Sequence, residues 1–136
     1  MNGAALYFDS SALVKLAVAE PESNALRDFL ASEDRPRFSS LIARTEVIRS
    51  VAPHGNAAIA AGRTILTSLQ LVAITGELLD LAATLEPGTL RSLDAIHLAS
   101  ALTLGDELEA VVTYDRRLQG AAESLGIRVE APGQQP

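Results

Sequence analysis

The 136-residue sequence contains no cysteine, which excludes a disulfide framework, a thiolate zinc site and a cysteine nucleophile, and suits a reducing compartment. Lysine is nearly absent too, Lys15 being its one occurrence, and the eleven basic residues are outnumbered by seventeen acidic ones, for a net charge of -6. A surface of that sign repels a phosphate backbone, so a general-purpose nucleic-acid coat is excluded. Long apolar runs are missing: Ala4 to Phe8 is short and Leu78 to Leu85 is broken by Asp80, so neither approaches the roughly 20 residues of a bilayer span. Met1 leads into a strand-like run without a basic segment, apolar stretch and cleavage site, which predicts a cytoplasmic protein with no membrane partner. Repeats, low-complexity tracts and linkers are lacking as well.

What is present suffices for a core. The chain is 48% hydrophobic, and one domain of about 100 to 200 residues buries roughly two-thirds of its unfolded surface. The reading is a single domain over 1–131, followed by a frayed tail over 132–136. Ala4 to Phe8 reads as a buried strand, and Asp9-Ser10-Ser11 as the cap of a helix from Ala12 to Ala19. Pro21 opens a second helix carrying Leu26, Phe29 and Leu30, Arg37 to Ser40 is a short strand, and Leu41 to Val51 is helical. A helix over Ala57 to Leu69, a strand over Leu71 to Ile74 and a helix capped by Thr75 and ended by Pro87-Gly88 follow. Ser92 caps a helix with no charge between Asp94 and Gly105 apart from any on His97, so it must be buried nearly all round. Ala110 to Thr113 is a strand, Arg116 to Leu125 a helix stopped by Gly126, and Ile127 to Glu130 a half-exposed strand. Such alternation predicts an α/β three-layer sandwich: a mainly parallel sheet of about five strands with helices on both faces.

Two segments repeat one device. Ala5-Leu-Tyr-Phe-Asp9 and Val111-Val-Thr-Tyr-Asp115 each run from an apolar strand through an aromatic to an Asp where the chain leaves for a helix. In a parallel sheet both carboxylates reach the same edge, the ligand-binding edge of open α/β folds; helix capping by each Asp is an equal alternative. Asp94 stands at the mouth of the buried helix, where the dipole favours a carboxylate by roughly 0.3 to 1 kcal/mol. An anion there calls for a partner, and with no Lys or Arg between it and Arg116 a metal ion is a candidate. Glu46 lies off an apolar stripe drawn through Leu41, Ile48 and Ala52 and pairs on paper with Arg49, so periodicity assigns it to solvent. His97 is read as a satisfied structural histidine, with metal ligation or donation to a carboxylate as alternatives. Ser10 and Thr113 flank the two strand-end Asp and are candidates for orienting a carboxylate or a water.

The order of these segments resembles a family. Tyr7 to Leu16, Arg44-Thr-Glu46-Val, Leu93-Asp94-Ala-Ile-His97-Leu-Ala99 and Val112-Thr-Tyr-Asp115-Arg-Arg-Leu118 are similar to the acidic motifs of PIN-domain ribonucleases, specifically the VapC toxins of bacterial toxin–antitoxin pairs, over essentially the whole chain. The resemblance implies an acidic catalytic site of Asp9, Glu46, Asp94 and Asp115, with Asp9, Asp94 and Asp115 holding magnesium or manganese for endonucleolytic RNA cleavage. It also implies a homodimer and an antitoxin protein that inserts a basic side chain into the site, an apolar helix of the antitoxin lying around Leu13, Leu16 and Leu26. Many members carry further acidic residues in the last motif where Arg116 and Arg117 stand here, which leaves one or two ions open. Clustered carboxylates raise one another's pKa, and a hard divalent cation relieves that cost while acidifying a water and neutralising phosphate charge. Arg44, Arg49, Arg91, Arg116 and Arg117 are placed to contact flanking phosphates or simply to face solvent. A haloacid-dehalogenase phosphatase would need Asp where Ser11 stands, and a receiver domain would need a late-strand Lys. The remaining alternative is a PIN-like binding or scaffold module with negligible turnover.

Overall fold

The computed structural model describes residues 3–32 and 34–136. Its elements are β1 (Ala5–Phe8), α1 (Ser10–Ala17), α2 (Ser23–Ala31), β2 (Arg37–Ser40), α3 (Ala43–Val51), α4 (Asn56–Thr67), β3 (Gln70–Val72), α5 (Gly76–Thr84), α6 (Ser92–Leu102), β4 (Leu108–Val112), α7 (Arg116–Ser124) and β5 (Val129–Glu130). All strand pairs are parallel, in the order β3-β2-β1-β4-β5. The strand period of two divides the core. Leu6 and Phe8 of β1, with Ala110 and Val112 of β4, face Leu13, Leu26, Val47 and Val51 of the first helices. Tyr7 and Val111 face the other way, toward Ala101 of α6. Helices α1 to α4 therefore cover one face and α5 to α7 the other, which is the three-layer sandwich expected from the sequence.

Local signals placed most elements. Thr75 caps α5 by accepting the Leu78 N–H at 3.1 Å, and Gly126 at φ 78° supplies the left-handed turn that stops α7. From Ala95 onward α6 is buried on nearly every side. Other boundaries move. Ser92 is the first residue of α6, and Arg91 occupies the cap without a side-chain bond. Helix α3 begins at Ala43, because Leu41 and Ile42 form a turn after β2. Helix α2 starts at Ser23, two residues after Pro21, and α5 ends at Thr84, before Pro87 is reached. Strand β5 keeps only the two residues that pair with Val111 and Val112.

One expectation is corrected outright. The tail from Pro132 is docked instead of frayed: the Tyr114 hydroxyl donates to the Pro132 carbonyl at 2.8 Å, and Gln134 bonds Gln119 and the Tyr114 carbonyl. Burial, with Glu22 nearby, pushes the Tyr114 phenol up to about 12, so it stays a donor. Leu13 and Leu26 are fully buried in the chain's own core, whereas Leu16 between them is half-buried. Lys15, largely buried, ties α1 to the next segment through Glu22 at 2.9 Å and Glu20 at 3.3 Å, its ammonium lying 4.8 Å from the centre of the Tyr114 ring. Among the described residues no helix is long and apolar enough to cross a membrane.

Candidate active site

From β1 the chain builds outward to β2 and β3, then returns to lay β4 on the opposite side. The crevice at the carboxyl ends of β1 and β4 is thus the topological switch point where open parallel sheets bind ligands. Asp9 leaves β1 there and is 3% exposed. Its Oδ1 accepts from the Ala12 N–H at 3.1 Å and the Ser11 hydroxyl at 2.7 Å, and its Oδ2 accepts from the Thr113 hydroxyl at 2.6 Å. Thr113 Oγ1 also receives the Asp115 N–H at 3.1 Å, while Ser11 Oγ receives the Tyr114 N–H at 3.0 Å. Two hydroxyls therefore stitch the end of β1 to the end of β4 through one carboxylate. Thr113 donates to Asp9, and the serine that reaches it is Ser11 and not Ser10. Adjacent hydroxyls in Asp9-Ser10-Ser11 gave no way to choose; a helix starting at Ser10 turns Ser11 back toward its cap.

Asp115 opens α7 as its cap, Oδ1 accepting from the Arg117 N–H at 2.9 Å and the Leu118 N–H at 3.2 Å. Capping and convergence on the switch point hold together for both strand-end Asp. Asp94, in the first turn of α6, is half-buried and accepts no hydrogen bond among the described residues. Burial raises its carboxyl pKa, and Asp115 and Asp9 raise it further against weaker relief from His97 and Arg91. Asp9 is raised as well, because burial outweighs the charge of His97 and its three hydrogen bonds. Asp9, Asp94 and Asp115 thus share one electrostatic neighbourhood.

Glu46 also comes to this end of the fold, contrary to its assignment to solvent. The stripe of α3 that packs inward is Ala43, Val47 and Val51, whereas Leu41 precedes the helix and is 40% exposed. Glu46 sits one turn after Ala43 and takes His97 as its partner in place of Arg49, with 2.6 Å from Oε1 to Nε2. The other ring nitrogen, Nδ1, lies 2.8 Å from the Tyr7 hydroxyl. Both ring nitrogens of His97 thus have partners, one of them a carboxylate.

A PIN-domain model matches residues 6–124. The ribonuclease VapC46 of Mycobacterium tuberculosis is 52% identical over 129 residues, spanning 95% of this chain and 98% of that protein. The chain belongs to the VapC ribonucleases of the PIN-domain family. VapC35 and VapC47 of the same species are 43% and 39% identical, covering 95% and 94% of this VapC chain and 98% and 97% of their own lengths. The crystal structure of VapC20 from M. tuberculosis, titled a sarcin-ricin loop cleaving toxin, superimposes with a TM-score of 0.70 over 85% of this chain and 94% of that one, at 18% identity, and so supports the fold. VapC ribonucleases depend on a divalent metal, act on RNA and pair with VapB antitoxins.

The donor set suits such a metal. It is all carboxylate oxygen, and both cap bonds of Asp115 fall on Oδ1, which leaves Oδ2 available. Among the described residues no three acidic or histidine side chains already close around one point. Of the arginines, Arg91 lies close enough to Asp94 to act on its charge, and Arg116 and Arg117 line a cavity with Thr89, Leu90 and Ser124. Arg116 also donates to the Gln135 carbonyl. Arg49 is exposed, and Arg44 faces a separate hollow beside Arg63 and Leu66.

Proposed function

We propose that this chain is a magnesium- or manganese-dependent endoribonuclease acting in the cytoplasm as the toxin of a toxin–antitoxin pair, with Asp9, Glu46, Asp94 and Asp115 as its catalytic carboxylates. The observation that carries the reading is the crowding of carboxylates at the switch point: Asp94 is raised by burial and then by the charges of Asp115 and Asp9, and among the described residues no cationic side chain is bonded to it. A folded protein retains such repulsion when a cation offsets it in the working state. Bound there through Asp9, Asp94 and Asp115, the ion would supply positive charge against phosphate and acidify a water.

The chain's own residues do the rest. Three hydrogen bonds hold Asp9 in one rotamer and leave it little freedom to lose on binding. Asp115 is fixed by its cap bonds, and Asp94 is the carboxylate free to move toward a ligand. Glu46 would accept a proton from an attacking water. Arg116 and Arg117 line the cavity beyond Asp115, where phosphates flanking the scissile bond would lie, and Arg49 is a further candidate contact. An antitoxin would offer an Arg or Lys to the same carboxylates in place of the metal. A homodimer is part of the reading: Leu79 of α5 and Leu93 of α6, 43% and 46% exposed, are apolar surface a second copy would cover.

Cleavage of RNA by the purified chain is expected with magnesium or manganese, to stop in excess chelator, and to be lost in Asp9→Asn. Undiminished cleavage in chelator would overturn the metal-dependent mechanism. Sequencing RNA ends after brief expression identifies the target.

A further inference from the structure

We propose that His97 is a positioning residue: its Nε2–H holds the Glu46 carboxylate at the acidic site, and the Tyr7 hydroxyl fixes the ring in the tautomer that can do so. This rests on the reading of Glu46 as part of the catalytic centre. The three side chains come from separate elements, β1, α3 and α6, and run from the core to the crevice: Tyr7 is 0% exposed, His97 is 1% exposed, and the Glu46 side chain 18%.

The protons can be counted. At 2.6 Å from Glu46 Oε1, His97 Nε2 must carry hydrogen, since two lone pairs at that distance repel. In the neutral ring Nδ1 is then an acceptor, and the group that faces it is the Tyr7 hydroxyl at 2.8 Å. Ser39 and Ser100 also border that hydroxyl, but each has committed its single proton to a carbonyl, Ser39 to Phe8 and Ser100 to Ile96, both at 2.7 Å. Neither can donate to Nδ1, and both can only accept. Burial raises the Tyr7 pKa, so the phenol keeps its proton. The chain of bonds therefore runs one way, from Tyr7 O–H to Nδ1 and from Nε2–H to Glu46, and Oε2 of Glu46 stays available to the site.

Nitrogen-15 NMR of the labelled full chain reads the tautomer directly, with His54→Asn to assign the two rings. Nε2–H is expected for His97, and Tyr7→Phe should move the ring toward a mixture. An Nδ1–H ring in the unsubstituted protein, or a ring protonated on both nitrogens at neutral pH, overturns the proposal whatever its activity. The second arm is RNA cleavage with magnesium. His97→Gln places an amide N–H where Nε2 was, and His97→Asn ends at the Nδ1 position. The Asn variant should lose kcat by about 10- to 100-fold at unchanged KM, the usual cost of losing such an outer partner, and the Gln variant should recover most of it at a similar melting temperature. Equal kcat losses in the two variants, or a change confined to KM, would show that His97 only packs. If the unsubstituted chain cleaves no RNA, the catalytic reading fails by itself and the NMR arm still decides whether His97 holds Glu46.

Discussion

Asp94 has a raised pKa with no hydrogen bond to offset it, and that fixes the sign of its pH dependence. Because its folded pKa lies above the unfolded one, its favourable contribution is complete below the unfolded value, near 3.9 for an ordinary Asp, and is lost as pH rises through the folded value. Metal-free Asp94→Asn is therefore expected to melt a few degrees above the parent at pH 7, and the gap should close by about pH 3, where the parent Asp is protonated too. Magnesium should raise the melting temperature of the parent and do much less for the variant, since a ligand stabilises the state that binds it. Thermal melts at fixed ionic strength check both; equal magnesium shifts would remove Asp94 from the metal's reach. Asp9 and Asp115 were legible in the sequence because each ends an apolar strand, and a carboxylate in that position both caps a helix and lands on the sheet's ligand edge. Ser11 was not, because the choice between neighbouring hydroxyls depends on where the first turn of α1 begins.

Helix α3 shows where periodicity misleads. It packs on both α1 and α4, so its inward stripe is built from small residues, Ala43, Val47 and Val51. Reading Leu41, Ile48 and Ala52 as the stripe rotated Glu46 into solvent; its place became legible only through the motif around it. The tightness of this packing is set by Gly62 of α4. A Cβ there would stand 3.3 Å from Ile48 Cδ1 and Val51 Cγ2 and 3.4 Å from Val47 Cγ1. Gly62→Ala should be nearly neutral, the gain in helix propensity of up to about 1 kcal/mol being offset by crowding. Gly62→Leu should overpack the seam and cost about 1 to 3 kcal/mol in denaturant unfolding. A Leu variant as stable as the parent would mean that α4 can slide on α3. Strand ends were the least legible parts elsewhere, because β3 and β5 are three and two residues long and are defined by partners distant in sequence.

At the scale of the whole molecule, a parallel sheet of five strands with helices on both faces followed from alternating strands and helices, whereas the order β3-β2-β1-β4-β5 and the docking of the tail did not. Gln134 and Pro132 look like a polar, Pro-containing end in the sequence, and their partners Tyr114 and Gln119 are known only once β4 and α7 are in place. The single lysine has a consequence of another kind. A lysine-specific protease has one bond to cut, after Lys15, and that bond lies inside α1, the helix capped by Asp9. Cutting it requires α1 to open, and where reclosing is fast the rate follows the open population. The chain thus carries a built-in gauge of local unfolding beside its own acidic site: one cut, one pair of fragments. Magnesium should slow the appearance of the fragment 1–15 in the parent and leave its rate unchanged in Asp9→Asn, as mass spectrometry of timed digests would record. Equal rates with and without the ion in the parent would uncouple α1 from the metal.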